Sequence, residues 1–160
     1  MAPASFKTSL PGIREKTNCH PYLRGKTMTD PLVWTEAISV NIPEIDEQHQ
    51  ALFAIINDII KVHEEQGGPG EILIRIGQLM DYSDRHFLTE EKLMIKHKFP
   101  RFVEHNRSHM AYMEQVDMFI SDYKANKQGL IHDMLEFLTH WWREHVSRSD
   151  ITYARHIHST

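Results

Sequence analysis

Four stretches of the chain carry apolar residues at alternating three- and four-residue intervals, each bounded by helix-breaking sequence. In the first, 46–63, one face collects Ile45, His49, Leu52, Phe53, Ile56 and Ile60, and "EEQGGPG" ends it. The second, 71–96, aligns Ile72, Ile76, Leu79, Met80, Ser83, His86, Phe87, Glu90 and Met94 before Pro100 interrupts the pattern. The third, 102–124, has the cleanest stripe: Phe102, His105, His109, Tyr112, Val116, Phe119, Ile120 and Tyr123. After "ANKQG", the fourth, 130–147, presents Ile131, Met134, Leu135, Leu138, Trp141, Trp142 and His145. This period belongs to amphipathic helices. Short loops make such helices antiparallel neighbours, so the pattern predicts an all-α fold, an up-down antiparallel four-helix bundle. Ahead of it, residues 32–43 read as an extended N-terminal arm laying Trp34 across the end of the bundle. Residues 1–30, with Pro3, Pro11, Gly12, Pro21 and Gly25 among polar neighbours, read as a loosely ordered N-terminal extension. That leaves 31–160 as the bundle domain.

The inner faces are not purely apolar, and most of their polar members are histidines. The chain has 12 histidines. Five of them, His49, His86, His105, His109 and His145, fall on apolar faces, with every helix contributing at least one. The others lie in loops, tails or polar faces, with His156 and His158 expected in a solvated C-terminal tail. His49 is near the start of its helix, His86 about four turns into the next, His105 and His109 near the start of the third, and His145 at the end of the fourth. In an up-down bundle with a rise of about 1.5 Å per residue, these positions share one end. Glu90 follows His86 by one turn and projects from the same face. Asp150, five residues after His145, is expected just past the helix end, on a short loop that turns its side chain inward. Glu91 is expected on the solvent side. The outer stripe His132, Glu136, His140 and Glu144 reads as a solvated face.

Buried charge is costly unless paired or bound to metal. Five imidazoles and two carboxylates without a thiolate exceed a single four-coordinate zinc site. Imidazole with carboxylate suits iron, and carboxylates bridge pairs of metals, so the ligand count points to a dinuclear non-haem iron centre. Ferritin-like di-iron proteins use paired Glu-x-x-His motifs, and this chain has none. Charge narrows the alternatives: the formal net charge is −4, and no basic tract suggests nucleic acid. No run reaches the ~18 apolar residues of a membrane span, and the first residues lack the apolar middle of a signal peptide. The single cysteine, Cys19, fits a reducing cytoplasm.

The motifs "IDEQH" at 45–49, "HFLTEE" at 86–91, "HNRSH" at 105–109 and "HVSRSD" at 145–150 resemble, in order and spacing, those of the hemerythrin-like domain family, specifically single-domain bacterial members. The resemblance spans about residues 32–155. It implies one iron held by His105, His109 and His145 and a second held by His49 and His86. Glu90, Asp150 and a solvent-derived oxo or hydroxo group would bridge them, leaving one position open to O2. It also implies reversible O2 binding for transport, storage or delivery to an oxygen-consuming recipient, by a cytoplasmic, monomeric protein that is not an enzyme. An oxygen or redox sensor and a di-iron oxidase or peroxidase are the alternatives. Leu52, Phe87, Trp141 and Val146 match the family's oxygen-pocket lining. Ser147 departs from it, since the family usually has a bulky apolar residue there. A small hydroxyl at that position is expected to admit water and hasten autoxidation.

Overall fold

The computed structural model describes residues 30–125 and 130–160. The expectations for residues 1–29, Cys19 included, and for most of the "ANKQG" turn lie outside the described residues. A single 3-10 turn, Glu36–Ile38, interrupts the arm. The helices are α1 (Pro43–Glu64), α2 (Pro69–Lys96), α3 (Phe102–Lys124) and α4 (Leu130–Glu144). A π-helical segment, His145–Asp150, then leads directly into α5 (Ile151–His158). Helix α1 packs on α2, α2 on α3, α3 on α4, and α4 closes back on α1. This is the up-down four-helix bundle.

Two helices begin earlier than their hydrophobic patterns suggest. Both α1 and α2 have proline in the first helical turn. Proline's fixed φ and missing N–H suit that turn, where the amide has no intrahelical acceptor. Acidic residues sit in the first turns (Glu44 and Asp46, Glu71, Glu104) and basic ones in the last (Lys61 and His63, Lys96, Lys124), complementing each helix dipole. Asp46 also fastens the arm: its carboxylate accepts from Ser39 Oγ at 2.7 Å and from the Val40 amide at 2.8 Å. Further back, the Asn57 side chain exchanges two hydrogen bonds with the backbone of Leu32. Trp34 is thereby set against His49 and Phe53, at ring-centroid distances of 6.0 and 6.3 Å.

The larger apolar core runs through the bundle, with Leu52, Ile56, Ile76, Leu79, Tyr112, Val116, Met134, Leu138 and Trp142 all buried. A smaller core at one end joins Val40, Ile45, Met94, Phe99, Tyr153 and Ala154. Along α1, His49 falls between Ile45 of the small core and Leu52 of the large one; along α2, Glu90 falls between Met94 and Phe87. The polar inward residues therefore form a layer between two apolar ones.

The C-terminus corrects the sequence reading. The fourth helix does not end at Ser147, and Asp150 is not on a loop. Five residues along a regular α-helix turn a side chain about 140° away from its starting face. The wider i→i+5 winding of the π segment cuts most of that offset, so His145 and Asp150 face the same interior. Nor do His156 and His158 form a loose tail, although His158 is exposed as expected. Both lie on α5, where His156 Nε2 donates to the His97 carbonyl and His158 Nε2 to the Val40 carbonyl, each at 2.9 Å. Helix α5 is a lid over the small core.

Candidate metal centre

The seven inward histidines and carboxylates are all buried: His49, His86, Glu90 and Asp150 completely, and His105, His109 and His145 to within 7% exposure or less. They form two groups whose ligand atoms lie within 4.8 Å of one another: Glu90, His105, His109 and His145 in one, and His49, His86, Glu90 and Asp150 in the other. Glu90 belongs to both. Its Oε1 lies 3.6 Å from His86 Nε2 and 3.9 Å from His49 Nε2, while Oε2 lies 3.1 Å from His109 Nε2 and 3.4 Å from His105 Nε2. Asp150 divides in the same way. Oδ2 is 3.1 Å from His49 Nε2, and Oδ1 is 3.1 Å from His145 Nε2 and 3.5 Å from His105 Nε2. Each carboxylate thus offers one oxygen to each group, and every imidazole turns Nε2 inward.

Several of these atoms are poorly served by protein alone. Both ring nitrogens of His49, Nε2 of His86 and both oxygens of Asp150 lack a partner in hydrogen-bonding geometry. Buried polar atoms are normally satisfied, so such a concentration at one point marks a site built for something else. Cations held between the two groups would satisfy the inward ones, His49 Nε2, His86 Nε2 and both Asp150 oxygens, and the donor set of imidazole and carboxylate fits iron.

The electrostatics show how strongly these charges are coupled. Burial acts to raise the Asp150 carboxyl, as does Glu90, but His145 and His49 outweigh both and hold it down to about 2. Glu90 is likewise held well below its ordinary value, with His86, His105 and His109 overcoming burial. Burial lowers the His86 imidazole to about 4 and also lowers His145. At His49 and His105 burial acts the same way, but the nearby carboxylates of Asp150 and Glu90 prevail and raise them. Carboxylates that resist protonation, and imidazoles such as His86 and His145 that burial keeps neutral with a free lone pair, are what a metal requires.

Aromatic rings brace the imidazoles. Phe87 stacks on His109 at 3.9 Å with planes 12° apart, and on its other flank faces Trp142 at 5.7 Å. Trp141, half-buried, stacks on His145 at 4.2 Å and 13°. Trp142 is fixed in turn by donating from Nε1 to the Tyr112 hydroxyl at 3.0 Å. Leu52 and Val146 are fully buried in the adjoining core. Ser147 is half-buried, and its hydroxyl donates to the Arg143 carbonyl at 2.6 Å.

Three contributors escaped the sequence reading. Tyr153, on α5, donates its buried hydroxyl to Glu90 Oε1 at 2.8 Å. Gln48 presents Oε1 to His86 Nδ1 at 2.9 Å. Glu91, expected on the solvent side, is only 23% exposed and places Oε1 3.3 Å from His109 Nδ1. The one available signal was adjacency: Gln48 and Glu91 neighbour His49 and Glu90 in sequence. The outer stripe is exposed at His132, Glu136 and His140 as expected, with Glu144 paired to Arg148 at 2.9 Å.

Comparison with known proteins agrees with this geometry. The family described as hemerythrin HHE cation binding domain matches residues 40–157. A bacteriohemerythrin of Clostridium acetobutylicum is 26% identical over 125 residues, covering 76% of this chain and 97% of the relative. One from Pseudomonas aeruginosa is 28% identical, covering 77% of this chain and 79% of the relative. Hemerythrin subunit 2 of Golfingia vulgaris is 27% identical, covering 68% and 88%. The bundle superposes on a crystal structure of wild-type hemerythrin with a TM-score of 0.72 at 24% identity, over 79% of this chain and 97% of that one.

Proposed function

The chain belongs to the hemerythrin family, whose cofactor is a non-haem di-iron centre, and from that premise we propose that it binds O2 reversibly for transport, storage or delivery. In this reading His105, His109 and His145 hold one iron, and His49 and His86 hold the other. Glu90 and Asp150 would be shared between the two, each giving one oxygen to each group. The observation that carries it is the division of both carboxylates, each with one oxygen toward each histidine group. With three histidines on one side and two on the other, the two-histidine group would be the one with room for an added ligand. When bound, the iron pair lends two electrons to O2 and recovers them on release.

The chain's own residues make that loan recoverable. Glu90 and Asp150 keep their negative charge in a buried site because imidazoles surround them, and so stay ready to hold cations between the two histidine groups. Tyr153 keeps one Glu90 oxygen in place from the α5 side. Leu52, Phe87 and Val146, with Trp141 against His145, form an apolar wall that excludes the water and protons on which irreversible oxidation depends. Among the described residues no helix is long and apolar enough to cross a membrane. A cytoplasmic monomer delivering oxygen to another protein is the working context. The test is optical: the full chain is loaded anaerobically with ferrous iron, then cycled between O2 and argon. A visible absorption band that appears with O2, vanishes under argon and returns over repeated cycles supports carriage. Direct conversion to a stable diferric spectrum, or continuous consumption of an added reductant, overturns it in favour of a sensor or an oxidase.

A further inference from the structure

We propose that Glu91 is a positioning residue that, through His109, adds to the inequality of the two metal positions, favouring the higher oxidation state at the three-histidine position. The inference rests on the ligand assignment proposed above. His86 and His109 are the two imidazoles whose outer nitrogen meets a side-chain acceptor among the described residues, and the acceptors differ in charge. His109 Nδ1–H, in the three-histidine group, donates to the Glu91 carboxylate. His86 Nδ1–H, in the two-histidine group, donates to the neutral Gln48 amide.

The Gln48 orientation is determined by its neighbours. Thr89 Oγ1 donates to the Arg85 carbonyl at 2.9 Å, so it can only accept from Gln48, whose Nε2 lies 3.5 Å away. That leaves Gln48 Oε1 for His86, which must then carry its proton on Nδ1 and its lone pair on the inward Nε2. An acceptor on a ligating histidine's outer nitrogen fixes the tautomer and raises the basicity of the ligand. A carboxylate does this more strongly than an amide, because it also draws the proton and adds negative charge. Ring orientation is not what Glu91 adds, since Phe87 already holds the His109 plane by stacking at 3.9 Å. What remains is charge, delivered through one imidazole to one iron. The same reasoning keeps the two-histidine position, served by an amide, the easier of the two to reduce.

The experiment is a stepwise reductive titration of the diferric full chain with reduced methyl viologen, one electron per step. Wild type is expected to hold two irons and show two separated midpoints, with the lower one belonging to the three-histidine position. Glu91→Gln keeps the hydrogen bond and removes the charge. It should weaken the ferric preference of that position by about tenfold, moving the lower midpoint up by about 59 mV for one electron and narrowing the gap. In the diferrous form the exchangeable ring N–H resonance of His109 should shift while that of His86 stays. Gln48→Glu should lower the upper midpoint and also narrow the gap. An unchanged gap, or midpoints that move together in both variants, overturns the inference and leaves the ligand assignment standing. Should Glu91→Gln fail to load iron, Gln48→Glu decides alone by the same criterion. A wild-type chain that does not hold two irons overturns both.

Discussion

Tyr153→Phe removes one oxygen atom and tests how the lid and the metal layer are joined. The tyrosine is fully buried, and its hydroxyl donates to Glu90 Oε1 at 2.8 Å. Burial, and after it the negative charges of Glu90 and Asp150, push the phenol well above its ordinary range, so it remains a donor at any working pH. A hydrogen bond to a charged acceptor contributes about 1.5–3 kcal/mol, and no water can replace the donor at a buried position. Phenylalanine retains the ring and its packing on Phe99, at 6.4 Å between centroids. The cavity cost is therefore small and the hydrogen-bond loss dominates. Urea denaturation of the metal-free variant should show about 1.5–3 kcal/mol less stability than the parent, with an unchanged slope against denaturant. Because the hydroxyl also steadies a proposed bridging carboxylate, iron affinity by chelator competition should fall about 10–100-fold. A stability loss below about 0.5 kcal/mol, with unaltered iron affinity, would refute the reasoning that Glu90 depends on this donor.

Three further perturbations probe other parts of the same layer. Phe87→Ala empties a buried space between His109 and Trp142; it should cost about 3–5 kcal/mol in denaturation and shorten the oxygenated lifetime seen optically. Asp150 is held at about 2 in the folded chain against 3.8 as its ordinary value. A lowered carboxyl contributes stability that is present above the unfolded value and lost as pH falls through the folded one. The denaturation midpoint of the metal-free protein should therefore drop between about pH 4 and 2, and Asp150→Asn should flatten that part of the profile; an identical acid limb in the variant counts against the coupling. Ser147→Leu adds apolar bulk two residues after His145, where the family resemblance implies a bulky side chain, and it should slow autoxidation measured by decay of the oxygenated spectrum. A lifetime no longer than the parent's would show that Ser147, with its hydroxyl tied to Arg143, does not control water entry.

Much of this layer was legible in the chain because its residues sit on helices, where spacing converts directly into facing direction. His86 and Glu90 are four apart, as are His105 and His109, and both pairs project inward together as that spacing requires. The bundle followed from the same arithmetic, with α3 found at its predicted bounds. Asp150 was recognised by its distance from His145 but placed on a loop, since a regular α-helix cannot bring residues five apart to one face. The π segment is a backbone choice that no side-chain period announces. Helix α5 was missed because it is short and only Tyr153 and Ala154 on it are buried. Tyr153 and Gln48 look in sequence like an ordinary core aromatic and a polar surface residue. Their importance lies in contacts across 63 and 38 positions of chain, which local patterning does not carry.

The central claim, a pair of metals shared between two carboxylates and five histidines, is tested most directly by Mössbauer spectroscopy of the full chain loaded with isotopically enriched iron, with iron counted per chain. Two irons per chain with distinct signals, reflecting three histidines on one and two on the other, are predicted. A single iron per chain, or two irons with mononuclear, uncoupled spectra in the oxidised form, would contradict it.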